Sequence, residues 1–195
     1  MPSYTLRQES DAKVEALGLT SHQFRLDARY QATEQLRVDG HLIHQKNDFS
    51  VVFPQPTRDR DATYTEAGLG LVYVVEPGGR TLRAGLAIEH NDAEGSDWSY
   101  DAIRLSAGIG GPLARNLYGA LDIRYTDRDT GMGFTDFVAA GRTGQTITSF
   151  SGQLVYRVTE SGTIRAGLTY QDVNANDPAF SGSAVMGMIG YGFEF

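Results

Sequence analysis

The sequence predicts an all-β fold, an antiparallel up-and-down barrel of about ten strands, within a range of roughly eight to twelve. Three observations support this prediction. The chain of 195 residues contains 23 glycines, 10 tyrosines and 9 phenylalanines. Apolar and polar residues alternate with a period of two in several segments, as in strands whose two faces meet different surroundings. Turn residues separate these segments roughly every ten to twenty positions.

The predicted strands, in chain order, are 11–19, 22–32, 35–46, 62–75, 80–90, 98–110, 116–127, 148–159, 163–173 and 182–195. The first is the weakest, because its residues alternate poorly. In the second, apolar side chains from Phe24 to Tyr30 alternate with charged ones. The same alternation supports the seventh strand from Leu117 to Tyr125 and the eighth from Phe150 to Val158. Turn residues delimit the third to sixth strands and the ninth strand. In the tenth strand, the alternation of residues continues to the last residue of the chain.

The connections between these strands alternate in length. Short links lie at 32–35, 76–79, 110–115 and 160–162, and longer ones at 47–61, 91–97, 128–147 and 174–181. Successive strands of a meander run in opposite directions, so the short turns meet at one end of the barrel and the long loops at the other. This asymmetry is typical of barrels that span a membrane.

Residue parity divides the strands into a charged face and an apolar face. The charged face is rich in arginine and its charges nearly balance, which favours paired groups in a confined lumen. The predicted lumen residues are Arg25, Asp27, Arg29, Arg37, Asp39, Glu66, Arg83, Glu89, Arg104, Asp122, Arg124, Arg157 and Arg165. The apolar face carries aromatic residues near strand ends, as in the girdles of membrane barrels. These residues are Phe24, Tyr30, Tyr73, Tyr125, Phe150, Tyr156 and Tyr170.

Composition excludes several kinds of site. The chain has no cysteine, so it has no disulfide, zinc-thiolate site or cysteine nucleophile. A net charge of −7 disfavours nucleic acid as a partner. No apolar run reaches the roughly 18 residues of a membrane helix, but a spanning strand needs only every second residue to be apolar. The polar start at Met1 to Ser3 lacks the pattern of a secretion signal, so we expect a mature form or a chain that is not exported.

The end of the chain carries a more specific signal. The last strand alternates Val185, Gly187, Ile189, Tyr191, Phe193 and Phe195. This segment, 182–195, resembles the C-terminal signature of bacterial outer-membrane β-barrel proteins, and the rhythm of strands and loops extends the resemblance over 22–195. The resemblance implies a monomer in the outer membrane, with periplasmic termini, an even number of strands, and contact with lipid and lipopolysaccharide. It also implies that the barrel-assembly machinery reads Tyr191, Phe193 and Phe195.

The first functional hypothesis is a barrel domain at 11–195, preceded by an N-terminal extension at 1–10. Eight to ten strands enclose a lumen that the protein's own charged side chains can fill. The protein would then act in a structural or surface-interaction role through the loops 47–61 and 128–147.

Other hypotheses stay open. One is a narrow channel or porin for small solutes, and another is a soluble lipocalin-like carrier of a small ligand. A rim hydrolase is the weakest, because Asp39 with His41 and His44, or Glu89 with His90, offers a base without a complete catalytic set. We therefore predict no enzymatic activity, no cofactor and no metal. The chain could also be part of a longer protein.

Overall fold

The computed structural model describes residues 1–9, 19–49, 60–95, 98–130, 144–176 and 178–193. Within these ranges the chain forms ten strands and one short 3₁₀ turn, Pro178–Phe180. The strands are β1 (Pro2–Glu9), β2 (Leu19–Gln31), β3 (Leu36–Phe49), β4 (Ala62–Val74), β5 (Thr81–Ala93), β6 (Tyr100–Ala114), β7 (Leu117–Asp129), β8 (Gln145–Arg157), β9 (Gly162–Ala175) and β10 (Gly182–Phe193). The predicted all-β fold is confirmed. In the same ranges, no helix has the length and apolar character needed to cross a bilayer.

All ten strands form one antiparallel sheet in the order β1 to β10, so each strand pairs with its neighbours in the chain. Short connections at 32–35, 75–80, 115–116 and 158–161 join the strands at what we call the short-turn end. The other connections lie at the opposite, long-loop end. The predicted up-and-down topology is therefore confirmed.

The first strand lies closer to the N terminus than the sequence predicts. Residues 2–9, predicted as part of an extension, pair with β2 from Pro2 opposite Leu26 to Glu9 opposite Leu19. The Tyr4 hydroxyl also lies 2.7 Å from His22 Nδ1. Because β1 alternates mainly among polar residues, it lacks the apolar signal that marks the other strands. Most of the predicted strand at 11–19 lies outside the described residues.

The register sorts the side chains into two faces, because directly opposite residues of an antiparallel pair point to the same side. Ile43 pairs with Glu66, and Glu66 pairs with Glu89. Every predicted lumen residue lies on the same face as these three. We call it the concave face, because its side chains surround an open space bounded by β3 to β10. The predicted girdle aromatics all lie on the opposite, convex face.

The sheet has little hydrophobic core. The buried apolar residues in the described ranges are Ile43 and four alanines, and no large side chain there is fully buried. Large apolar side chains instead stand on the convex face, where Leu69 and Leu121 are 65% and 64% exposed. An apolar surface of this extent is suited to contact with lipid.

The described part of the sheet has two edges. There, β1 pairs only with β2, and β10 pairs only with β9. Side chains on both sides of β10 are exposed, including Met188 on the concave face and Ile189 on the convex face. Lipid offers no hydrogen-bond partners, so the edge backbone of a membrane sheet must be paired within protein.

Candidate functional site on the concave face

An ionic cluster of Tyr64, Glu66, Glu89, Arg104 and His41 lies on the concave face, toward the long-loop end of the strands. Glu66 and Glu89 are directly opposite on β4 and β5, and each side chain is only 6% exposed. The Arg104 guanidinium donates to Glu66 Oε1 through Nη2 and lies 2.7 Å from Glu89 Oε1 through Nη1. His41 Nε2 is 2.6 Å from Glu66 Oε1, and the Tyr64 hydroxyl donates to Glu66 Oε2. One guanidinium thus compensates two buried carboxylates.

A glycine makes room for the imidazole of the ionic cluster. Gly68 lies opposite His41 in the β3–β4 register, and a Cβ at this position would overlap the His41 ring. Gly70 lies two residues further along the same face and has room for a side chain. An added Cβ there would lie 3.7 Å from the nearest atom, Ala84 O, which is an ordinary van der Waals contact. Close packing of His41 therefore requires glycine at 68 but not at 70.

Two other groups of ion pairs lie closer to the short-turn end on β2 and β3. Arg25 binds Asp27 through Nε and Nη2, with N–O distances of 2.7 to 2.9 Å. Arg29 and Arg37 share the Asp39 carboxylate at 3.2 and 2.9 Å. These side chains are between 32% and 71% exposed, so they are far more accessible than Glu66 and Glu89.

A further pair links β5 to β7 across β6. Arg83 Nη2 donates to both carboxylate oxygens of Asp122, at 2.9 and 3.2 Å. Gly108 of β6 lies between them, opposite both residues in register, and leaves the space that the two side chains cross. The two side chains are 42% and 46% exposed. This pair therefore stands in accessible space above the sheet.

Three of the predicted lumen arginines have no such partner. Within the described ranges, Arg124, Arg157 and Arg165 form no ion pair or hydrogen bond through their side chains. In register, Arg124 lies opposite Ser106 on β6 and opposite Ser149 on β8. On the described concave face of β8, β9 and β10 there is no acidic residue. The charge network predicted from sequence is thus paired on one side of the sheet and unpaired on the other.

The concave face borders an open space of about 710 Å³. Its charged and titratable lining residues are Asp39, His41, Arg83, Arg104, Asp122 and Arg124. Hydroxyl and amide side chains extend the wall across β6, β8 and β9, namely Ser106, Ser149, Ser151, Thr169 and Gln171. A surface of this kind can bind water and small polar or charged molecules.

The candidate base pairs of a rim hydrolase are not assembled as the sequence suggests. Asp39 and His41 share a face, but Asp39 binds Arg29 and Arg37, whereas His41 contacts Glu66. His44 is on the convex face beside Thr65, at 3.2 Å. His90 is also convex, 2.7 Å from Asp101, while Glu89 points to the concave side. The absence of enzymatic activity stays a prediction.

The convex face carries an apolar belt between the predicted aromatic residues. Tyr30, Tyr73 and Tyr156 are each the last residue but one of a strand at the short-turn end. The other four, Phe24, Tyr125, Phe150 and Tyr170, lie fifth or sixth from the long-loop end of their strands. The rise from Phe24 to Tyr30 is about 20 Å along the strand, or about 15 Å along the axis of a barrel with the usual strand tilt, which lies within the roughly 25 Å of a membrane barrel's apolar band.

Beyond the belt, several strands continue toward the long-loop end with acidic residues on the convex face. These convex aspartates are Asp48, Asp92, Asp101, Asp127, Asp129 and Asp172. The sequence prediction ends most of these strands earlier, because polar residues on both faces remove the alternation. Counting alternate residues beyond the last apolar residue of each strand would have assigned these aspartates to the convex face. Much of the negative charge of the chain therefore lies outside the concave face.

The predicted assembly residues lie at the short-turn end of β10. Tyr191 and Phe193 are on the convex face and are 64% and 56% exposed. Phe195 lies outside the described residues. Recognition by the assembly machinery stays a prediction.

No protein-family model and no curated protein sequence matches the chain. Among solved structures, it is similar to the outer-membrane expressed OmpT of Vibrio cholerae, with a TM-score of 0.61 and 10% sequence identity. The fold is that of a bacterial outer-membrane β-barrel protein. The similarity covers 98% of this chain and 61% of the other, so the chain spans about three fifths of that protein's length.

Proposed function

We propose that the protein forms the wall of a water-filled channel in the bacterial outer membrane, through which small polar solutes pass. The observation that carries this proposal is the unfilled concave face, with about 710 Å³ of open space beside charged side chains. Arg29 is 71% exposed there, and Arg83 and Asp122 are 42% and 46% exposed. Side chains that filled a lumen would bury one another.

The surface area of the molecule supports the same proposal. It is 13119 Å², against roughly 9,000 Å² expected for a compact protein of this mass. One sheet that exposes both of its faces contributes to this excess. The convex face is apolar and suits lipid, whereas the concave face is polar and suits water, which is the arrangement of a channel wall. A soluble carrier would have the opposite arrangement, with its polar face outside.

The ionic cluster restricts the size of the solute. It contains the two least exposed charged side chains of the described concave face, Glu66 and Glu89, and Arg104 beside them is only 25% exposed. It therefore narrows the lumen beside β4 to β6, which favours small solutes. The loops 47–61 and 128–147 lie mostly outside the described residues, so their surface-interaction role stays a prediction.

Conductance in planar lipid bilayers tests the proposed channel. We expect discrete current steps from the refolded protein. Ser151→Trp should lower the step size by at least half, because Ser151 lines the open space of the concave face. Phe150→Trp is the matched control, since the neighbouring side chain lies on the convex face. Folded, inserted protein without current steps, or equal steps in the two variants, would contradict the proposal.

A further inference from the structure

The concave face is more positive than the chain as a whole. On β2 to β10 its described side chains include nine arginines and five carboxylates, whereas the chain has a net charge of −7. The arginines are Arg25, Arg29, Arg37, Arg83, Arg104, Arg124, Arg128, Arg157 and Arg165, and the carboxylates are Asp27, Asp39, Glu66, Glu89 and Asp122. Overall charge is therefore a poor guide to the charge that a solute meets.

The five carboxylates are all bound by arginines of the same face. Of the remaining arginines, Arg128 stacks over the Tyr100 ring, with its guanidinium carbon 4.1 Å from the ring centroid. Arg124, Arg157 and Arg165 have no bonded acceptor among the described residues. An uncompensated guanidinium beside a polar cavity offers five N–H donors to a solute.

Arg124 is the best placed of the three. It borders the open space of the concave face, with Ser106 and Ser149 directly opposite on its two neighbouring strands. The nearest acid on its own strand, Asp122, is occupied by two hydrogen bonds from Arg83. A guanidinium binds the oxygens of carboxylate and phosphate groups in a planar, bidentate manner, and hydroxyl groups add further donors.

We infer that Arg124, Ser106 and Ser149 form a binding site for small anions that carry a phosphate or carboxylate group. Arg165 and Arg157 lie on the same face about 20 Å and about 26 Å further along β9 and β8, toward the short-turn end. Anion binding depends only on the concave face. A preference for anions in transport also rests on the proposed channel, and the two claims are tested separately.

Binding is tested by nuclear magnetic resonance of ¹⁵N-labelled arginine side chains in detergent micelles, titrated with inorganic phosphate. The Arg124 signal, assigned by its loss in Arg124→Gln, should shift and saturate. Ser149→Ala should weaken the apparent affinity several-fold. The Arg104 signal is the internal control and should stay fixed, because Glu66 and Glu89 hold that guanidinium. An unmoved Arg124 signal, or equal drift of all arginine signals with added salt, would overturn the site.

Selectivity is tested by the reversal potential across a potassium chloride gradient. It should indicate anion preference, and Arg124→Gln should move it toward cations more than Arg29→Gln does. The second variant removes the same charge from a paired position, where Arg37 still holds Asp39. Phosphate binding without conductance would overturn the channel and support the anion site. Conductance with an unmoved Arg124 signal and an unchanged reversal potential would overturn the anion site alone.

Discussion

Arg104 is the residue on which the ionic cluster depends. Glu66 and Glu89 are opposite each other on adjacent strands, so without a cation between them they would repel at close range. Both are shielded from solvent, and neither is bound by another arginine in the described ranges. A single guanidinium therefore determines whether this part of the concave face is stable.

Replacing Arg104 by glutamine should lower the free energy of unfolding by about 3 to 5 kcal/mol, because two buried carboxylates lose their cation. Arg83→Gln is the matched control and should cost about 0 to 1 kcal/mol, since the Arg83–Asp122 pair is almost half exposed. Urea denaturation in detergent micelles, followed by circular dichroism, measures both. Equal losses in the two variants would show that burial does not distinguish the two sites.

The sequence predicts the face of the sheet on which a charged residue lies more easily than it predicts the residue's ion-pair or hydrogen-bond partner. Asp39 and His41 share a face because they are two positions apart, and this much followed from strand periodicity. The actual partner of His41, however, is Glu66, which is 25 positions away in the chain. Such a contact depends on the register between two strands, and a local pattern in either strand contains no information about it.

At the scale of the strands, alternation predicted most elements because each face of the sheet has its own chemistry. The prediction placed β2 and β7 to β9 within a few residues of their observed bounds. It was wrong for β1, where Ser3, Tyr4 and Thr5 show no apolar period. It also ended several strands early at the long-loop end, since the convex face becomes acidic there.

The face assignment of a single strand can be tested with two neighbouring substitutions in the middle of β9. Leu168 is convex and 58% exposed, whereas Thr169 is concave and borders the open space. Leu168→Arg should cost about 2 to 4 kcal/mol of stability in lipid vesicles, because it places a charge near the middle of the bilayer. Thr169→Arg should cost less than half as much. Urea titration of folded protein in vesicles gives both values, and the reverse ranking would exchange the two faces.

At the scale of the whole molecule, the described residues form a single curved sheet without a second layer to cover it. Globular domains bury an apolar face against another element, but the convex face here has no such cover in the described ranges. In a bilayer, the backbone N–H and C=O groups along the edges of β1 and β10 also need hydrogen-bond partners. The folded state should therefore depend on an amphipathic medium.

Heat-modifiability tests this dependence. Protein refolded in detergent should migrate differently in a gel before and after boiling, with β-type circular dichroism lost only in the boiled sample. The reason is that detergent replaces lipid along the apolar belt and maintains the sheet until heat disrupts it. A urea-unfolded sample run without boiling is the control and should migrate like the boiled one. Protein that is compact and monodisperse without detergent would contradict the assignment of the convex face to lipid.

The strict neighbour-to-neighbour order of the strands also determines how such a barrel can change size. Every ladder among the described residues joins strands that are consecutive in the chain, so a hairpin can be duplicated or lost without moving any other connection. Neighbouring strands are about 4.8 Å apart, which at a tilt of about 40° is about 6 Å of circumference, so one hairpin adds or removes about 12 Å. The bore of a barrel with this topology can therefore evolve in steps of two strands, through hairpin copy number, while the residues that line each existing strand are retained.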